Sequence, residues 1–419
     1  MRRIPRAGRL LATLAFPMIV GCNDRLPTLT GEGPFPVGGT ATTIEHFIDS
    51  DSLLLAANVY DGPTSVDDFP GLLIANNFDG ALNSHGLVKL GSFPDTVDVN
   101  GESDGDFTYL ESEIVAFIPD TLSASAPALT LELWTVTQPW DTAAVSWENA
   151  VDQPGETVPW TEAGGTRGEL IATAGWSLDD EEAADTLRWA VPGALVQSLA
   201  DDGFPGLMVT LQDEDTQVQI STLRLQASIS PSVDPDTTVI STISGGPQTF
   251  VFTPEPPRPP DVLRVGGVTS DRSIFRLAVP NELPGCPPPE TCAPIPADSV
   301  ILDRVQLIVD PVPVDSGFGP VQGLPVIVRR VLEPELGSLA PLAQEITRGI
   351  IPAARFTPAG VEPVRFALTN ALTQAILNDD TELAVALLAP TASSFAFGWF
   401  APTARLRILY TLPQTPQLP

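Results

Sequence analysis

Leu129-Thr130-Leu131-Glu132-Leu133 sets three leucines against a threonine and a glutamate in strict alternation. Successive side chains of a strand point to opposite faces, so this stretch has one apolar and one polar face, the pattern of a half-buried β-strand. Residues 220–229, 300–309, 326–331 and 405–410 carry the same period, and clusters of Gly, Pro, Asn and Asp separate such runs. Many short strands with turn residues between them predict an all-β chain folded as antiparallel β-sandwiches, jelly-roll-like in type. Residues 192–200 and 369–377 break the period. Ala194, Leu195 and Leu199 follow helical spacing, which predicts one short helix in each of these two places.

Those two helices belong to a longer repeat. Arg188, Trp189, Ala190, Val191, Ala194, Leu195, Gln197, Leu199 and Asp202 align with Arg365, Phe366, Ala367, Leu368, Ala371, Leu372, Gln374, Ile376 and Asp379 at one offset of 177, and six of the nine pairs are identical. Three more blocks recur in the same order: residues 86–90 with 273–277, Leu129/Leu131/Leu133 with Val305/Leu307/Val309, and Leu223-Arg224-Leu225 with Leu406-Arg407-Ile408. Collinear similarity of this kind means two copies of one domain, each large enough for its own core. The expected boundaries are 40–230 for the first sandwich, 231–237 for a proline-containing linker, and 238–414 for the second.

At the N-terminus, Arg2, Arg3, Arg6 and Arg9 precede the apolar run 10–20, and Ile19-Val20-Gly21 leads into Cys22. A cationic start, an apolar run too short for a stable span and a small residue before cysteine make residues 1–21 a lipoprotein signal peptide. The mature chain is then expected to begin at a lipidated Cys22, with enough acyl chains for durable anchoring to a membrane. Residues 22–39, with Pro27, Pro34, Pro36 and several glycines, read as a flexible tether. At roughly 3 Å per residue it spans on the order of 50 Å. Position 23 is Asn and not Asp, so the expected location is the outer membrane or cell surface.

The whole chain carries a formal charge of −31, and 17 bases against 52 acids remain after position 21. Nucleic acid and anionic lipid surfaces are repelled by such a field. With 43% hydrophobic and only 17% charged residues the chain still has ample apolar surface for packed cores. The acid load is uneven: 36 acids and 5 bases lie between 22 and 240, against 16 acids and 12 bases beyond. Cys286 and Cys292 stand in a proline-rich loop and are expected to form a disulfide in an oxidising compartment. A metal site there is the other reading, and it lacks partners, since His46 and His85 lie far upstream.

The block Pro139-Trp140-Asp141 through Val145-Ser146-Trp147-Glu148, following the strand 129–136, resembles the tryptophan-bracketed segment of DNRLRE domains, a group overlapping carbohydrate-binding module family 96. Residues 187–211 are similar to a later block of that family, and 271–277 to its early arginine-containing strand. The second copy keeps the late block but has no equivalent of Trp140 and Trp147. The resemblance implies a β-sandwich outside the cytoplasm, often attached to enzymes or surface proteins, with polysaccharide binding in some members.

Six of the seven tryptophans lie between 134 and 189. An exposed indole stacks on the apolar face of a sugar while nearby carboxylates and amides meet its hydroxyls; buried, the same indole is core. Phe366 in the place of Trp189 marks that position as core, and the strand pattern around Trp147 does the same. Trp140, Trp160 and Trp176 neighbour Pro, Gly or acidic residues and are the carbohydrate-stacking candidates. Asp98, Asn100, Glu102, Asp104 and Asp106 alternate through a glycine-containing loop with the ligand chemistry of Ca2+, although the EF-hand spacing fails at Ser103 and no glutamate closes it; the other reading is a solvated loop. With two histidines, and no HExxH, phosphate loop or nucleophile elbow, catalysis has little support; paired carboxylates could serve a glycosidase, but 52 acids make some such pair inevitable. The sequence therefore predicts a non-catalytic, lipid-anchored exported protein that binds polysaccharide or another surface partner through a β-sandwich, or else a structural or protein-protein interaction component of the cell envelope.

Overall fold

In chain order, β1 (Thr43–Ile48) and β2 (Leu54–Tyr60) are parted by the one-turn α1 (Ser50–Leu53). There follow β3 (Leu72–Phe78), β4 (Leu82–Leu90), the short β5 (Val97–Val99), β6 (Glu102–Asp104) and β7 (Phe107–Tyr109), β8 (Ser112–Phe117) and β9 (Ala128–Val136). The hairpin β10 (Asn149–Gln153) and β11 (Glu156–Pro159) leads to β12 (Arg167–Ser177), β13 (Thr186–Val191), α2 (Gly193–Ala200), β14 (Leu207–Leu211), β15 (Thr216–Ile220) and β16 (Arg224–Pro231). Then come β17 (Val239–Phe252), β18 (Leu263–Gly266), β19 (Arg272–Ala278), the pair β20 (Glu282–Leu283) and β21 (Ile295–Pro296), β22 (Ile301–Val312) and β23 (Leu324–Val331). The chain closes with β24 (Leu342–Ile351), β25 (Val364–Ala367), α3 (Thr369–Leu377), β26 (Glu382–Leu388) and β27 (Phe397–Thr411). This computed structural model describes residues 42–412 apart from 63–65, 67–68, 70, 119–123, 178–184, 201–203, 315–316, 322 and 391–394. The signal peptide 1–21, Cys22, the tether 22–39 and Asp202 lie outside the described residues, and among those described no helix is long and apolar enough to cross a membrane.

The fold is all-β, and its strands pair antiparallel. In the first sandwich one sheet runs β12-β9-β14-β4, with β3 and β15 attached through β4, and the other runs β13-β8-β16 with β7 on β16. Leu131, Leu133, Val209 and Val88 from the first sheet meet Ile114, Trp189 and Leu225 from the second in one core. The second sandwich faces β27-β22-β25 against β19-β26-β23-β24, with Leu307, Phe366, Leu406, Phe275, Val328 and Val385 between them. Helices α2 and α3 each close one sandwich, burying Val196 and Leu199, and Leu372, Ala375 and Ile376.

The cross-strand register identifies equivalent strands. Trp189 opposes Ile114 across β13 and β8, Phe366 opposes Leu307 across β25 and β22, and both aromatics are buried. The block at offset 177 therefore occupies the same place in both sandwiches. Two of the smaller matches need correction. β22 has the neighbours of β8, not of β9: the counterpart of β9, flanked by β14 and β12, is β23, flanked by β26 and β24. Leu225 opposes Ile114 as Leu406 opposes Leu307, so Leu225 matches Leu406, a slip of two residues from the sequence alignment. A period of two leaves the inward set unchanged by such a slip, so pattern alone does not fix it.

The domain boundaries also change. β1 pairs with β27 and β2 with β19, so residues 43–60 complete the second sandwich, not the first. In the first sandwich the same place is taken by β17, whose residues 239–244 pair with β16 and whose residues 245–252 pair with β4. The stretch expected as a linker, 231–237, is only the connection of the β16–β17 hairpin, where Ile229 opposes Val239. Pro and Asp mark a turn equally well in either setting. β17 changes sheets at a register break between Gly245 and Gln248. A Cβ on Gly245 would stand 2.5 Å from the Leu223 carbonyl oxygen, so the bend needs glycine.

A third apolar cluster joins the sandwiches. Phe69, Leu73, Leu82 and Phe250 from one side pack with Phe318, Phe395, Phe397 and Trp399 from the other. Phe250 meets Phe69 and Phe395 edge to face at 5.3 and 5.7 Å between ring centres. An aromatic junction of this kind fixes the two sandwiches to one another.

Candidate functional site: a groove beside Trp147

Between β9 and β12 the chain makes an excursion, 137–166, that folds back over the outer face of the sheet. Trp140, Ala150 and Trp160 pack there on Val136, Leu87, Met208 and Val251, a small second core outside the first. Trp160 donates its indole N–H to the Ser146 carbonyl at 3.0 Å, and the Lys89 ammonium lies 4.6 Å over the Trp140 ring while donating to the Trp140 carbonyl at 2.8 Å.

This overturns the stacking assignment. Trp140, Trp160 and Trp176 are 4%, 7% and 4% exposed, the first two in the excursion's own core and Trp176 between the sheets. None presents a face to a ligand. The Pro, Gly and acidic neighbours of Trp140 and Trp160 are the turns of the excursion, which put the polar groups outward and the indoles in, whereas Gly175 and Trp176 are part of β12.

Trp147, read from its strand pattern as core, is instead half-buried beside an open groove of about 490 Å3. Phe252 and Pro254 line it as well, and Glu148, Asn149, Asp152 and Glu255 supply polar groups. The Asp152 carboxylate accepts from the Ser146 hydroxyl and the Asn149 amide, each at 3.0 Å, which fixes its orientation. Glu255 is held by two bonds from Arg264 at 2.5 and 2.8 Å, and Arg264 also reaches Asp271 at 3.1 Å and lies 4.0 Å from the Phe397 ring centre. Burial raises the Asp271 carboxyl above the ordinary range, with Arg264 opposing.

His85 props the indole from behind at 5.0 Å between ring centres. Its Nδ1 lies 2.7 Å from the Gly164 carbonyl and its Nε2 3.0 Å from Arg167, which has only protons to give. Nδ1 therefore donates and Nε2 accepts, the neutral tautomer. Burial, reinforced by the Arg167 charge and opposed by the Gly164 bond, brings the imidazole down to about 4. Gly164 sits at φ +83°, and a Cβ there would fall 2.6 Å from the Trp147 ring. A glycine and a neutral histidine thus set the position of the indole.

The acidic run expected to hold calcium is a β-hairpin. Asn100 and Gly101, at φ 54° and 90°, make the two-residue turn between β5 and β6. Glu102 and Asp104 lie on the face of Val99 and Val97, whereas Asp98 pairs with Ser103 on the other. The Asp104 carboxylate is taken by the Asp106 and Val233 N–H groups and the Ser232 hydroxyl, and these hold it below its ordinary range. Asp98, Asn100, Glu102, Asp104 and Asp106 therefore do not converge. Among the described residues the one group of three donor atoms close enough for a metal is Cys286, Glu290 and Cys292, and the Cys286–Cys292 disulfide occupies both sulfurs.

No family model matches the chain, and no curated protein matches it. A solved chain described as the structure of infectious bursal disease virus Gx strain aligns over 93% of this chain and 85% of its own at 11% identity, with a TM-score of 0.10. A likeness at that level carries no argument.

Proposed function

We propose that the protein is a non-catalytic, lipid-anchored exported protein that binds polysaccharide in the groove beside Trp147. The observation that carries this reading is the groove itself, lined by the aromatic rings of Trp147 and Phe252 together with Glu148 and the hydrogen-bonded Asn149 and Asp152 side chains. Apolar sugar faces pack on such rings, while hydroxyls donate to carboxylates whose geometry is already fixed. The site lies in the segment that resembles DNRLRE domains, and the lipoprotein signal read at residues 1–21, ahead of Cys22, supports a location outside the cytoplasm, at the outer membrane or cell surface.

Affinity electrophoresis through gels holding plant, algal and microbial polysaccharides tests the reading. Retardation by at least one polymer, abolished in Trp147→Ala and kept in Trp176→Phe, supports it. Unretarded migration in every gel, or equal retardation of Trp147→Ala, removes it. A second reading, contact with an envelope protein, rests on the exposed leucines Leu332, Leu336 and Leu339 of the second sandwich, the last 81% exposed.

A further inference from the structure

The strand pair that closes the second sandwich comes from the start of the first repeat, and β17, which closes the first sandwich, opens the second repeat. Each repeat in the sequence thus begins with a segment that straddles both sheets of a sandwich, and the two segments have traded places. Ile44 opposes Tyr410 and Val239 opposes Ile229 in matching positions, as do Ile48 with Leu406 and Ile243 with Leu225.

The placement of residues 43–60 lets them leave as one segment, taking with them Ile48, Leu54, Ala57 and Val59, which pack on the second core. β1 is the edge strand of one sheet and β2 of the other, so nothing must be unthreaded. Ile44 and Leu53 are its fully buried side chains, and Phe47 and Leu55 are about half exposed. β17 is held elsewhere. It is followed by Thr-Pro-Glu-Pro-Pro-Arg-Pro-Pro-Asp at 253–261, five prolines in nine residues that favour an extended chain, and the Glu255 side chain within it is clamped by Arg264. When 43–60 leaves the cleft between β27 and β19, β17 of the same molecule is not placed to fill it.

We infer that this cleft is a strand-acceptor surface whose partner, besides the chain's own N-terminal segment, is residues 43–60 of a second copy of this chain. Reciprocal exchange then gives a two-fold dimer that uses contacts already present within one molecule: the six-residue register of β1 on β27, the Glu45–Arg407 ion pair, and the Thr43–Thr411 hydroxyl contact.

Thr43 and Thr411 are outward-facing, with side-chain oxygens 3.3 Å apart, and suit a cysteine test on the full chain. Thr43→Cys in one tagged chain and Thr411→Cys in another are unfolded, refolded together at increasing concentration and oxidised. The double variant in one chain shows whether the thiols meet. Exchange predicts a disulfide-linked dimer whose share rises in proportion to chain concentration while it is the minor species, with peptide mapping joining positions 43 and 411 and leaving Cys286–Cys292 intact. If the double variant closes within its own chain and the mixed variants yield no such dimer at any concentration, the inter-chain exchange is wrong. If the double variant does not close either, β1 is not on β27 and the inference falls with it.

Discussion

Acidification should lower the stability of the fold through His85 well before the imidazole behind Trp147 is itself protonated in the folded chain. His85 is neutral in the folded chain and is brought down to about 4, from 6.5 when unfolded. A group whose folded pKa is lowered and whose charged form is the protonated one favours the unfolded state as pH falls. The contribution of His85 is complete above about pH 7, declines from pH 6.5 towards pH 4, and levels off below. At about 1.4 kcal/mol per pH unit, the loss from His85 is about 2 kcal/mol at pH 5 and ~3 kcal/mol at pH 4. In melting temperature this is on the order of 5 °C at pH 5. The assay is urea unfolding at pH 7.5, 6 and 5, on the native protein and on His85→Gln, whose amide still donates to Gly164 but does not titrate. His46, also lowered by its burial, contributes equally to both proteins and cancels. The native chain should lose about 2 kcal/mol more than the variant between pH 7.5 and 5. Parallel pH profiles would refute the reasoning, because they would mean that His85 takes up its proton as readily folded as unfolded.

Gly164→Ala forces a Cβ to 2.6 Å from the Trp147 ring at a positive φ, so polysaccharide retardation should fall several-fold and the melting temperature with it, by calorimetry. Glu255→Ala removes two bonds from the 9%-exposed Arg264 side chain but leaves it Asp271 and the Phe397 ring; losing such charge-assisted bonds should cost about 1.5–3 kcal/mol, read from denaturant midpoints. Trp189→Ala and Phe366→Ala empty equivalent core positions and should each cost ~3–5 kcal/mol, and, lying in separate cores, their effects should add within about 0.5 kcal/mol in the double variant. Stripping divalent cations with a chelator should leave the melting temperature unchanged, since the hairpin sends Asp98 away from Glu102 and Asp104; a rise on adding millimolar calcium would contradict that geometry.

The sequence made the fold class legible because alternation at 129–133 and 405–410 reports burial on one face directly. The duplication was legible where a bulky core residue and a helix fell together, at Trp189 and Phe366. Elsewhere a period of two left the register free to slip, as at Leu225 and Leu406. Strand exchange left no mark, since the side chains of β1 and β17 need only an apolar inward face, and either sandwich offers the same cleft. The tryptophans misled for a different reason. A loop that builds its own core shows Pro, Gly and acids beside buried indoles, as Trp140 and Trp160 do, and only the packing of Leu87, Met208 and Val251 beneath them reveals it. For Trp147 the informative neighbours were His85 and Gly164, one of them 62 positions away in the chain.

The exchanged strand assignment, on which both the domain boundaries and the acceptor cleft depend, is tested most directly by disulfide trapping within one chain. Phe47 lies opposite Arg407 in the second sandwich, and the matching position in the first is Gln226. Phe47→Cys with Arg407→Cys should oxidise to an intramolecular disulfide in the folded monomer, and Phe47→Cys with Gln226→Cys should stay reduced. The opposite pattern would show each repeat keeping its own first strand.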